Sequence, residues 1–120
     1  MIEVITIEKF KSDIFDFTQN TEWKFDQATP IVLNFTASWC GPCQMFAPTL
    51  EKIASEKSSE LKVYKIDIDK TPELAALFEV KSVPTTLFIS AGQDPVMTNG
   101  LMTEENLQKA IQEIFVSPGQ

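Results

Sequence analysis

Four of the five residues in IVLNF, Ile31 to Phe35, are large and apolar, and only Asn34 interrupts them. A strand with one wet face alternates. A nearly continuous β-prone run is instead the pattern of a strand buried on both faces, in the middle of a sheet. Elsewhere the apolar period shifts from two to between three and four and back again several times, which is how alternating strands and helices look in sequence. The fold class this predicts is α/β.

Glu3 to Ile7 alternates like a short strand, and Phe10, Ile14 and Phe17 recur at helical spacing across KFKSDIFDF. Asn20 to Pro30 reads as a connection in which Trp23 and Phe25 tuck their rings against the fold. Beyond the central strand, Met45, Phe46, Leu50, Ile53 and Ala54 mark one face of a helix running to about Lys57. Pro48 lies inside it and removes an i to i−4 hydrogen bond, so a kink is expected there unless the helix starts later. Leu61 to Asp67 is a second interior strand, and Thr71-Pro72 offers an N-cap and first helical position to PELAALF. Thr85 to Ser90 is a strand, Ala91 to Asp94 a glycine-containing turn and Val96 to Thr98 a short partner strand, together a hairpin at a sheet edge. Thr103 caps the last helix, Glu104 and Glu105 suit the positive end of its dipole, and Leu107, Ile111, Ile114 and Phe115 line one face. Phe35, Phe46, Phe78 and Phe88 are most simply core.

At 120 residues the chain is expected to be one domain. Residues 1–30 are its N-terminal strand, helix and connection, 31–116 its core and 117–120, SPGQ, a frayed tail. No apolar run comes near the roughly 18 residues that cross a bilayer. The opening MIEVITIEKF lacks a basic stretch, a long apolar core and a cleavage site, so no export signal is expected and the location is expected to be cytoplasmic. Seventeen acidic residues against ten lysines and no arginine leave a net charge of −7. The lysines are scattered, whereas nucleic acid would require a positive patch to neutralise phosphates. Neither nucleic acid nor membrane is an expected partner, and the chain is expected to act as a monomer.

Both cysteines lie in SWCGPCQ, Ser38 to Gln44, and there is no histidine. The central strand runs through TAS into a helix opening near Cys40, where backbone N–H groups have no helical partner and favour an anion. A free thiol has a pKa of about 8.5, and each unit of depression is about 1.4 kcal/mol of preference for the thiolate. Pro42 in the first turn sacrifices no needed hydrogen bond, and Gly41 leaves the flank open to an approaching sulfur. Three residues on, Cys43 falls on the same side, so the two sulfurs can close a small ring. Cys40 is then expected to be the exposed, low-pKa attacker, and Cys43 the more buried thiol that resolves a mixed disulfide. Other readings compete. Structural zinc usually takes four Cys or His ligands, so this pair would need carboxylates or a second subunit. A purely structural disulfide would close a tiny loop and add little. A papain-like nucleophile needs a histidine partner.

WCGPC, Trp39 to Cys43, after a strand in a βαβ pattern resembles the active site of the thioredoxin family. QMFAPTLEKIA resembles that family's second helix with its kinking proline, KIDID its third strand, VKSVPTTLFI the segment holding its cis-proline, and Gly100 the glycine before its last helix. The similarity runs from about Ile31 to Phe115, and the first 30 residues are only loosely alike. It implies a central mixed sheet flanked by helices on both faces, and a cis Val83–Pro84 bond beside a disulfide between Cys40 and Cys43. It further implies a groove in which Trp39, Val83, Pro84 and Gly100 contact substrate, Val83 pairing its amide and carbonyl with an extended peptide. Reduction of protein disulfides needs no bound cofactor or metal; turnover needs an outside electron donor, which the resemblance implies is a thioredoxin reductase.

Three departures stand out. Asn34 occupies the place of the family's buried aspartate, and an amide donates and accepts hydrogen bonds but does not titrate. Lys65 matches the lysine beside that aspartate, and if buried its pKa should fall. The Cys43 proton is left to Lys65, a water or direct solvent exchange. Thr36 stands where a tryptophan is frequent, and Gln44 where a basic residue is frequent. The expected activity is thiol–disulfide exchange that reduces protein disulfides. The rival classes are an oxidase or isomerase using the same cysteines in an oxidising compartment, and a binding module without turnover.

Overall fold

The structure, a computed structural model, describes residues 2–115, so the expected tail at 117–120 lies outside the described residues. Among these residues the elements run β1 (Glu3–Val4), α1 (Ile7–Asp13), β2 (Ile31–Thr36), α2 (Gly41–Glu56), β3 (Lys62–Asp67), α3 (Pro72–Leu77), β4 (Thr85–Ile89), β5 (Val96–Asn99) and α4 (Glu104–Ile114). The strands form one sheet in the order β1-β3-β2-β4-β5. β1 and β2 pair with β3 in parallel, whereas β4 is antiparallel to β2 and β5 antiparallel to β4.

β2 is the central strand, and all five residues of IVLNF are buried. Ile31, Leu33 and Phe35 turn to one face, where they meet Phe10 of α1, Leu74 of α3 and Leu87 and Ile89 of β4. Val32 turns to the other, packed with Phe46, Leu50 and Ile53 of α2, Phe88 of β4 and Leu107 and Ile111 of α4. Two helices therefore cover each face of the mixed sheet. Burial of each such Leu, Ile or Phe side chain contributes about 1.5–3 kcal/mol relative to leaving it exposed. Among the described residues no helix is long and apolar enough to cross a membrane.

Two element ends differ from the sequence reading by more than one residue, and one expected cap is absent. The first strand stops at Val4 instead of Ile7, because the Thr6 hydroxyl accepts the Lys9 N–H at 3.1 Å and starts α1 at Ile7. That helix ends well before Phe17, since the Phe10 carbonyl takes the N–H groups of both Ile14 and Phe15 and closes the ladder. Thr71 precedes α3 but makes no side-chain cap. Its hydroxyl donates to the Asp67 carbonyl at 3.1 Å, tying down the loop that leaves β3. α2, by contrast, runs unbroken across Pro48, whose ring lies on the exposed side; the later start does not occur.

Candidate active site

Parallel pairing brings the C-terminal ends of β2 and β3 to the same edge of the sheet. The antiparallel strands add the start of β4, with Pro84 just before it, and the end of β5, with Gly100 just after it. Residues 37–40, 68–71, 83–84 and 99–101 thus converge at one end of the molecule. Topology alone gathers Trp39, Cys40, Val83, Pro84 and Gly100.

Cys40 is the N-cap of α2, in an extended backbone conformation, and its Sγ accepts the Cys43 N–H at 3.1 Å. Here the side chain does for the helix end what Ser or Asp usually does. Cys40 and Cys43 are joined as a disulfide, with their Cα atoms 5.3 Å apart. The Cys40 Sγ lies 3.6 Å from the Val83 carbonyl oxygen. The Val83–Pro84 peptide is cis, and the Pro84 carbonyl accepts the Gly100 N–H at 2.8 Å. Gly100 has φ +91°, a conformation that side chains other than glycine rarely adopt. Gly41 is exposed, and a Cβ added there would meet nothing within 4 Å.

The expected contrast in exposure between the thiols is absent: Cys40 is 4% exposed and Cys43 5%. The cap turns the Cys40 sulfur inward, toward the Cys43 N–H, and Ala37, Ile68 and Val83 close over the pair. What distinguishes the two cysteines is the amide donor on Cys40.

Trp39 is 67% exposed, and its indole N–H donates to Asp69 Oδ2 at 2.8 Å. Asp69 was not singled out in the sequence. Its place two residues after Asp67 in KIDID was the available signal, and Asp67 Oδ1 accepts the Asp69 N–H at 2.9 Å. Asn34 and Lys65 are register partners on β2 and β3, though no hydrogen bond joins them. Lys65 is half-buried. Asn34 donates instead to Thr86 Oγ1 on β4 at 3.4 Å, a partner the sequence reading did not name. Gln44 Nε2 donates to the Ser38 carbonyl at 3.5 Å, away from the sulfurs. Among the described residues no group of three or more His, Cys, Asp or Glu side chains is gathered to hold a metal ion.

A small-ring disulfide whose one sulfur faces a helix-terminal amide and a free carbonyl is built to exchange its own bond with another. That places the chain among the thiol–disulfide oxidoreductases. The Thioredoxin family model matches residues 4–113. The thioredoxin of Borreliella burgdorferi is 33% identical over 111 residues, covering 92% of this chain and 95% of that one. A bifunctional thioredoxin reductase/thioredoxin of Mycobacterium leprae is 50% identical over 64 residues, 53% of this chain and 14% of that one. Among solved structures, chloroplastic thioredoxin z superposes with a TM-score of 0.78 at 29% identity, covering 94% of this chain and 93% of that one. The chain belongs to the thioredoxin family, and its activity is the reduction of protein disulfides.

Proposed function

We propose that Cys40 attacks the target disulfide and that Cys43 releases the product. The Cys40 thiolate displaces one target sulfur, which leaves as a thiol after taking a proton. Cys43 then loses its proton and attacks Cys40 Sγ, and the second target sulfur departs. Two electrons pass from the dithiol to the target, and the chain is left with the Cys40–Cys43 disulfide. The observation that carries this assignment is the Cys43 N–H on Cys40 Sγ, because an amide donor at a helix start stabilises a thiolate there.

Target binding follows from the free backbone beside the sulfurs. β4 starts only at Thr85, and among the described residues no backbone hydrogen bond uses the Val83 N–H or carbonyl. An extended target segment can therefore pair with Val83 as an added strand, its cystine passing Cys40 at the distance of the Val83 carbonyl. Pro84 and Gly100 form the floor of that groove and Trp39 its exposed wall, while open space at Gly41 admits the incoming sulfur. A thioredoxin reductase is the electron donor this reading calls for, and the fused reductase/thioredoxin relative supports it. A reducing compartment such as the cytoplasm, action as a monomer, and one domain over the whole chain complete the reading.

The test is reduction of insulin disulfides with dithiothreitol as donor. Acceleration by the chain and its loss in Cys40→Ser support the assignment. A folded sample without activity points to a binding role. Cys43→Ser should hold targets as mixed disulfides, and equal trapping by Cys40→Ser would reverse the two roles.

A further inference from the structure

The turn that carries Val83 is tied down on both sides of that residue. After it, the Pro84 carbonyl accepts the Gly100 N–H at 2.8 Å. Before it, the Ser82 carbonyl lies 2.7 Å from Thr85 Oγ1. Thr85 opens β4 and is 0% exposed, although Ser82 itself is at the surface. Asn99, the register partner of Thr85 on β5, stands 3.1 Å from the same hydroxyl through Oδ1. A hydroxyl has one hydrogen to give. The Ser82 carbonyl can only accept it, whereas a side-chain amide can turn its N–H to the hydroxyl instead, so the shorter contact takes the proton.

The direction of that carbonyl decides the direction of the next amide. The Ser82–Val83 peptide is trans, and a planar trans unit points its C=O and its N–H opposite ways. With the Ser82 oxygen drawn inward onto a sealed hydroxyl, the Val83 N–H points outward. It has no backbone acceptor among the described residues, and the Val83 carbonyl lies 3.6 Å from Cys40 Sγ. We propose that Thr85 is a positioning residue: its hydroxyl holds the Ser82–Val83 peptide plane so that the Val83 N–H stands ready for a carbonyl of the target backbone. Without the hydroxyl, the Ser82 oxygen has no buried partner and is better satisfied by turning to water, which swings the Val83 N–H inward. The target then meets a backbone that must be turned back before it can pair.

The role rests on the pairing of targets with Val83 proposed above, and two measurements keep the two apart. The first is the second-order rate at which the reduced chain reduces a disulfide-linked pair of extended peptides, divided by its rate on bis(2-hydroxyethyl) disulfide, which has no peptide backbone. Thr85→Val keeps the shape and loses the hydroxyl, and should lower this ratio about fivefold, the worth of one pre-set hydrogen bond. Thr85→Ser should restore it. A role in packing alone predicts the reverse, with Val tolerated and Ser not, and an unmoved ratio in Thr85→Val overturns the proposal. The second is amide hydrogen exchange at Val83 with Thr85 intact, which also decides the matter if Thr85→Val does not fold. In the free reduced chain the Val83 N–H should exchange as fast as an exposed amide; protection there means that it faces inward and overturns the proposal. In Cys43→Ser holding a peptide as a mixed disulfide on Cys40, the same amide should become protected. Fast exchange in both states would instead sink the strand pairing, and the role of Thr85 with it.

Discussion

The indole N–H of Trp39 donates to Oδ2 of Asp69 at 2.8 Å, joining the loop before α2 to the loop after β3. The bond leaves the ring largely in solvent but fixes where it stands beside Cys40. Asp69→Leu removes the acceptor, and the freed ring must be ordered anew by each target. An exposed bond of this kind is worth about 1 kcal/mol, so KM for a peptide disulfide should rise up to about fivefold with kcat little changed. Asp69→Asn keeps an acceptor and should stay near the parent value. Steady-state kinetics on both variants, with tryptophan anisotropy as a monitor of ring mobility, checks this.

Lys65 is the ionisable side chain that faces Asn34 across the β2–β3 pair. Since the amide cannot take a proton, Lys65, a water or direct solvent exchange is left to carry the Cys43 proton, and the Lys65 route is the one a substitution tests. Lys65→Met should change the shape of the pH profile for single-turnover disulfide reduction. Superimposable profiles would remove Lys65 from the mechanism.

Stability should separate from chemistry in the layer that α2 and α4 form on one face of the sheet. Phe46 is fully buried among Val32, Leu50 and Phe88, and Phe46→Ala should cost about 3–5 kcal/mol in chemical denaturation. Thr103 caps α4 by accepting the Asn106 N–H at 3.1 Å, and Thr103→Ala should cost about 1 kcal/mol. The Thr103 variant should retain full reductase activity, because the Thr103 hydroxyl bonds within its own helix turn and to no residue of the site.

The surface pairs give a pH dependence with a fixed sign. The Asp13 carboxyl is held below its ordinary 3.8 by its bond to Lys9, and that of Asp16 by the Thr18 hydroxyl. Their contribution is complete above the unfolded value and is lost as pH falls through the lower folded one. Lys9, bonded to Asp13, and Lys52, bonded to Glu104, are raised above 10.5, so theirs is complete below that value and lost as pH climbs past the raised one. Thermal unfolding should therefore show no inflection from these groups between about pH 5 and 9. In Asp13→Asn the fall in Tm on the acid side should be shallower than in the parent chain.

Much of this was legible in the chain itself, because it is written in local pattern. The nearly continuous apolar run of β2, the helical spacing of Phe46, Leu50 and Ile53, the helix start near Cys40 and the cap at Thr103 depend on near neighbours. Contacts set by register were not legible. Asn34 and Thr86 are 52 residues apart, and Trp39 and Asp69 are 30 apart; nothing in the period of either segment says which residue faces which. The inward turn of Cys40 escaped for a related reason. Some N-cap side chains point to solvent and others fold back on their own helix, and the cover from Ile68 and Val83 comes from other strands' loops.

One titration bears on the whole account. In the reduced chain, the rate of alkylation of Cys40 against pH, followed by mass spectrometry to keep it apart from Cys43, reports the charge on the sulfur that the Cys43 N–H faces. The midpoint should lie about one to two units below the free-thiol value of about 8.5, with faster reaction at Cys40 than at Cys43 near neutrality. A midpoint at or above that of a free thiol would contradict it.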